Sequence, residues 1–272
     1  MWQRFVTGAL LIVFLIGVLI LGGYVFGGIA TLVCGICVYE ELDIMKQGGH
    51  RPVYLPIFAA LVLCVPLMLF VRPLAIVPVL LFTCFIVIFA VMRRGEPELT
   101  DVMISLLPLL TIVLPGLCLI SMVNVTPRAL QAMLTTMVFT VSVGSDIFAL
   151  FTGTWIGGKK LCPKISPKKT VAGAIGGLVG AVALTMLAGW IFALCYSQVD
   201  FPPLWFNLVV GLLGGIAAQF GDLLASLVKR YCGVKDFGTL FPGHGGMMDR
   251  MDSILFSSVV LFCYYELLKF LA

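Results

Sequence analysis

Long apolar runs, each interrupted by only a few polar residues, set the terms for this chain. Nine of them, near 4–21, 24–40, 53–71, 74–92, 102–124, 129–152, 171–196, 204–228 and 253–271, are extended enough to be spans. Crossing ~30 Å of hydrocarbon at ~1.5 Å per helical residue takes about that length. Hydrophobic residues make up 61% of the 272 and charged residues 11%, whereas a soluble domain carries roughly a quarter charged residues. Too few polar groups remain to coat a water-facing surface, so the apolar excess faces lipid. The expected fold is all-α, a polytopic integral membrane protein of about nine transmembrane helices. Its organisation is read as a scaffold over 1–128 with five helices, then a catalytic region over 129–272 with four helices and two cytoplasmic loops. The first run resembles a signal peptide in position, but it is long and no small-residue cleavage site follows, so it is read as a retained span.

Basic residues orient the spans. Fourteen of the seventeen Lys and Arg fall on one side, and only Arg72, Arg128 and Lys269 on the other. The N-terminus is therefore expected in the cytoplasm and the C-terminus outside. The connection 197–203, which has no Lys or Arg, lies on the outer side in that reading. Cys34, Cys64, Cys84, Cys195 and Cys263 sit inside apolar runs, as small buried hydrophobes do. Cys34 and Cys37 form C-x-x-C with no second pair or histidine nearby, so neither a zinc site nor a disulfide framework is implied.

The first half reads as a scaffold that shapes a lipid cavity, with Glu40, Glu41 and Asp43 marking a solvated helix end. Chemistry gathers in the second half. Asp146, Asp222, Asp249 and Asp252 are placed near the two basic loops, 153–170 and 229–252. A carboxylate at membrane depth is costly unless paired or metal-bound, which makes each a functional candidate. Internal pairing with Lys229, Arg230 or Arg250 is the bland alternative for any single one. Asp222, Ser226 and Lys229 stand at i, i+4 and i+7, and Asp249 and Asp252 at i, i+3, so each set shares a helix face. Carboxylates are the hard oxygen ligands that Mg²⁺ takes one or two at a time alongside phosphate oxygens. Lysines and arginines around them would balance a polyphosphate. The pattern points to metal-assisted phosphoryl chemistry at the cytoplasmic face.

Glycine adds to this. Gly238, Gly243, Gly245 and Gly246 surround His244 just before Asp249, and such a loop can bring backbone N–H groups close to phosphate. GTWIGGKK at 153–160 imitates a phosphate-binding loop but has Lys160 where the hydroxyl belongs and lacks the preceding strand. Two S-x-x-K matches, at Ser166 and Ser226, lack partner motifs. The small-residue pairs Gly173/Gly177, Gly176/Gly180 and Gly211/Gly215 read as close helix contacts.

The stretch from Ser226 to Asp252, SLVKRYCGVKDFGTLFPGHGGMMDRMD, resembles the signature of the phosphatidate cytidylyltransferase family. The likeness rests on Ser226, Lys229, Arg230, Lys235, Asp236, Gly238, Pro242, His244–Gly245–Gly246, Asp249, Arg250 and Asp252. A second stretch is also similar, through Asp146, Ala149, Gly153, Lys160 and Pro163 and then Ser166, Pro167, Lys168, Lys169, Thr170 and Gly173. The resemblance is sharp over 146–265. One departure stands out, for Ala225 occupies the place of the family's usual glutamate.

The resemblance implies transfer of the cytidylyl group of CTP to phosphatidic acid, giving CDP-diacylglycerol and pyrophosphate. It implies Asp222, Asp249 and Asp252 as ligands of Mg²⁺, with a second ion left open, and catalytic roles for these three with Lys229. Lys168, Lys169, Arg230, Lys235 and Arg250 would hold phosphates, with Ser166, Ser226 and His244 as polar contacts. Asp146 would orient a lysine or touch metal. The expected partners are CTP, phosphatidic acid and the bilayer of a bacterial plasma membrane. No nucleic acid is expected, and a homodimer is left open. A nucleotide-dependent relative acting on an isoprenoid or ether lipid would show similar site chemistry. A secondary transporter would show inverted halves with groups near the midplane, and no such halves are seen.

Overall fold

The structure, a computed structural model, describes residues 2–241, 243 and 245–271. Hydrocarbon offers backbone groups no water, so each apolar run closes its own ladder of helical hydrogen bonds. Ten helices follow among the described residues: α1 (Trp2–Leu21), α2 (Gly23–Gln47), α3 (Leu55–Phe70), α4 (Ile76–Met92), α5 (Leu99–Pro108), α6 (Leu114–Ser121), α7 (Arg128–Trp155), α8 (Val171–Cys195), α9 (Leu204–Tyr231) and α10 (Met248–Leu271). A π-helical turn, Leu109–Val113, joins α5 to α6 into one continuous span, Leu99–Asn124. Pro115 belongs there physically, since it has no N–H to give the carbonyl four residues back. Seven segments among the described residues are long and apolar enough to cross a membrane, while Ile12–Leu21 and α3 are apolar but shorter. The chain is thus an all-α, multi-pass membrane protein with one small hairpin among the described residues.

That hairpin, β1 (Lys160–Cys162) antiparallel to β2 (Ser166–Thr170), lies within the expected basic loop 153–170. Gly157 and Gly158, at φ of 65° and 89°, turn the chain off the end of α7 into it. Only glycine takes that conformation without a steric cost. The glycines of the false phosphate loop therefore have a conformational job.

The helices form two compact units, residues 1–123 with 228–251, and 124–227 with 252–272. In the first, Leu42, Ile44, Met45, Ile57, Ile112, Leu117 and Ile120 make a closed core. Asp101 staples its polar end. It accepts the Arg51 N–H (3.0 Å) and pairs with Arg94 (2.7 Å), while Ser105 accepts the Val53 N–H (2.9 Å). The expectation of a solvated helix end is overturned at Glu40 and Glu41, whereas Asp43 stays partly exposed and accepts from Gln47 (2.8 Å). α2 runs on through Gln47, and Glu40 and Glu41 are 7% and 0% exposed. Glu41 accepts from the Thr111 hydroxyl (2.7 Å) on the π turn.

In the second unit α8 lies closely against α7. A Cβ on Gly173 would come within 2.8 Å of the Ala149 carbonyl, and one on Gly177 within 2.8 Å of the Ser145 carbonyl. Small residues let the backbones approach, as the sequence pairs suggested. Thr170 caps α8, its hydroxyl accepting the Gly173 N–H at 3.0 Å. Ser142 and Ser257 bond across the buried α7–α10 contact (3.0 Å).

Candidate active site

The second unit holds a cavity of about 600 Å³ among α7, the hairpin, α8 and α9. That lies within the 300–1,000 Å³ typical of ligand sites. Asp146, Lys160, Lys168, Lys169 and Asp222 line it alongside Ala149, Leu150, Leu161 and Leu223. Lys169 and Asp222 form an ion pair at 2.5 Å, their side chains 27% and 29% exposed. Ser226 donates to the other Asp222 oxygen at 3.4 Å, one helical turn on. Gln219 stiffens the floor, donating to the Ala174 carbonyl (2.9 Å) and the Ser145 hydroxyl (3.3 Å). Ser166 opens β2 half-buried, and the strand carries Lys168 and Lys169 to the cavity wall. The cavity therefore joins ammonium and carboxylate groups to an apolar wall, a combination suited to an amphiphile with an anionic head.

The first unit contains the glycine loop. Asp249 is enclosed there, its side chain 5% exposed. One oxygen accepts from Lys229 (2.6 Å), and the other takes the N–H groups of Phe237 (2.8 Å) and Gly246 (2.9 Å). Lys229 also lies 5.2 Å from the centre of the Phe237 ring. Arg230, Lys235 and Arg250 are exposed, and Arg230 donates to the Val234 carbonyl (3.2 Å). Burial, with the Glu41 carboxylate nearby, pushes the Cys232 thiol up, which leaves it a protonated packing residue.

Sequence reasoning missed Glu40. Its carboxylate accepts the N–H groups of Met247 (3.0 Å) and Met248 (2.8 Å) where α10 begins. No local pattern signals this, because the partners lie 207 and 208 positions apart. The loop's backbone donors at Phe237, Gly246, Met247 and Met248 are thus occupied by carboxylates. A phosphate near the loop meets side chains rather than those N–H groups.

Asp252 is 8% exposed in the second unit and accepts the N–H of Ser253 (2.7 Å). Ala225 is 3% exposed, so a glutamate there would enter packed surroundings. His244 and Pro242 lie outside the described residues. Among the described residues no three His, Cys, Asp or Glu gather closely enough to hold a metal ion. Mg²⁺ commonly uses one or two carboxylates with phosphate oxygens. Asp222, half-exposed on the cavity with Asp146 in the same lining, fits that lesser demand.

The profile of the cytidylyltransferase family matches residues 2–268. A phosphatidate cytidylyltransferase of Brucella abortus is 44% identical over 132 residues, 48% of this chain and 46% of that one. One from Synechocystis is 38% identical over 136 residues, 50% of this chain and 44% of its own. One from Rickettsia bellii is 39% identical over 117 residues, 43% and 51% of the two. The chain spans about half the length of the curated relatives it matches.

Proposed function

The chain belongs to the cytidylyltransferase family, and from that premise we propose that it transfers the cytidylyl group of CTP to phosphatidic acid. A phosphate oxygen of the lipid attacks the α-phosphorus of CTP. The bond from that phosphorus to the bridging oxygen breaks, and pyrophosphate leaves. The nucleophile is already anionic, so the protein's work is to bring two polyanions together and neutralise them. The observation that carries the reading is the cavity of the second unit, where Lys160, Lys168 and Lys169 share a lining with Asp146, Asp222 and apolar side chains. The lysines would hold phosphate oxygens, and the leucines would receive the first methylenes of the lipid.

Asp222 is proposed as the first ligand of Mg²⁺, the ion that when bound would neutralise phosphate oxygens. Asp249 and Asp252 are proposed as further metal ligands from the sequence pattern. Asp249 would have to release Lys229 or a backbone N–H before it could bind a cation. Ser166, Ser226, Arg230, Lys235, His244 and Arg250 are proposed as substrate contacts.

We place the N-terminus in the cytoplasm, with α1 and α3 also crossing the membrane, and the site on the cytoplasmic side of a bacterial inner membrane. The fourteen-to-three division of basic residues supports this orientation. The α3 crossing is supported by Asp101, which ties Arg51 to Arg94 at one end of the first unit. Chain that leaves and returns to the same end across α4 requires α3 to make the other crossing.

The test incubates detergent-purified protein with CTP, Mg²⁺ and phosphatidic acid. Pyrophosphate together with a cytidine-linked lipid is expected. Turnover with an isoprenoid or ether lipid and none with phosphatidic acid would replace the substrate, and no nucleotide consumption with any lipid would overturn the reading.

A further inference from the structure

We infer that Glu40 is the positioning residue of the glycine loop, fixing the shape in which the loop's exposed cations meet the phosphates of CTP. The inference rests on the transferase reading above. Glu40 comes from α2, in the half of the chain with no other chemistry, yet both its oxygens are bonded to the start of α10. A carboxylate there answers the free N–H groups and the positive end of the helix dipole. The Met247 and Met248 N–H groups are thereby already satisfied.

The loop is shaped around this carboxylate. A Cβ on Gly238 would fall 2.6 Å from Glu40, and one on Gly246 2.5 Å from it. Two of the loop's glycines are therefore accounted for by the room Glu40 needs. Asp249 grips the same loop through Phe237 and Gly246 and ties it to Lys229 at the end of α9. Glu40 is the remote anchor, since it alone of the two belongs to α2. With the Met247 and Met248 N–H groups taken, a phosphate that reaches this loop meets the exposed side chains Lys235 and Arg250. Glu40 thus governs both where these cations stand and what they compete with.

The experiment uses the full-length protein in detergent, with Glu40→Gln, Glu40→Ala and, as a control on the same helix, Asp43→Asn. Hydrogen exchange is read over 237–248 and over 253–268. Glu40→Ala should speed exchange in the loop by about tenfold and leave the rest of α10 unchanged. Glu40→Gln keeps one acceptor oxygen and should fall between. CTP binding is measured directly by calorimetry, apart from turnover. It should weaken about tenfold in Glu40→Ala, less in Glu40→Gln, with the KM for phosphatidic acid within about twofold. If Glu40→Ala does not insert, Glu40→Gln carries the test with the same ordering. Unchanged loop exchange overturns the inference. Faster exchange with CTP affinity unaltered, or equal weakening of both substrates, reduces Glu40 to a helix cap and overturns it too. Wild-type protein that binds no CTP and makes no cytidine-linked lipid sinks the transferase reading instead, while the exchange arm still reports the Glu40 contact.

Discussion

Two aspartates of the proposed metal set are held in opposite ways, and they should fail differently. Asp222 shares a partly exposed pair with Lys169, which water and salt weaken. Asp222→Asn should melt close to wild type while turnover falls by several orders of magnitude, since clamping a cation on phosphate supplies several kcal/mol. Raised Mg²⁺ should restore part of the loss. Asp249→Asn removes the partner of Lys229, whose side chain is 12% exposed. Breaking such a pair costs ~3–5 kcal/mol, so this variant should lose melting temperature as well as activity. Thermal melts beside CTP turnover separate the two; equal melting of both variants would contradict the enclosure of Asp249. Ala225 is packed at 3% exposure, and an unpaired carboxylate there is costly to bury. Ala225→Glu should lower the melting temperature, and a melt at or above that of wild type would show that a cation or donor lies within reach.

Among the elements, α8 is the most exacting. Gly177→Ala pushes a methyl against the Ser145 carbonyl and the Gln219 amide, and overpacking of this kind costs ~1–3 kcal/mol. Gly28→Ala in α2 meets nothing within 4 Å and should leave the melt unchanged or slightly raised. Thr170→Ala removes the α8 cap at ~1 kcal/mol, together with a polar group of the cavity wall. The helices were legible because period and length report burial in lipid directly, and the α7–α8 approach was legible from Gly173 and Gly177. The hairpin was not. Its five-residue strand SPKKT has no alternation of apolar and polar residues and is held by pairing with Lys160–Cys162. The shared cavity lining of Lys168, Lys169 and Asp222 was legible as charge gathered beside a basic loop. Glu40 and Glu41 looked like a wet helix end because charge is normally solvated, and their partners at Met247, Met248 and Thr111 are remote in sequence.

For the whole molecule, the orientation is checked by cysteine labelling in intact cells. Ser197→Cys should react from outside, and Pro163→Cys, at the exposed hairpin turn, only after permeabilisation; the reverse pattern would move the site to the other face. The bond from Glu40 to Met247 also has a meaning in time. Translation adds ~5–20 residues per second, so the 207 residues between them take roughly 10–40 s to emerge. Through that interval α2 carries a carboxylate whose eventual donors have not been synthesised. The nascent chain must therefore keep that end of α2 in contact with water or the insertion machinery, and final seating of the loop waits for the last helix. Chains that stop before Met247 leave Glu40 without those donors and should be cleared by membrane proteases faster than full-length chains, a difference that pulse-chase labelling would read.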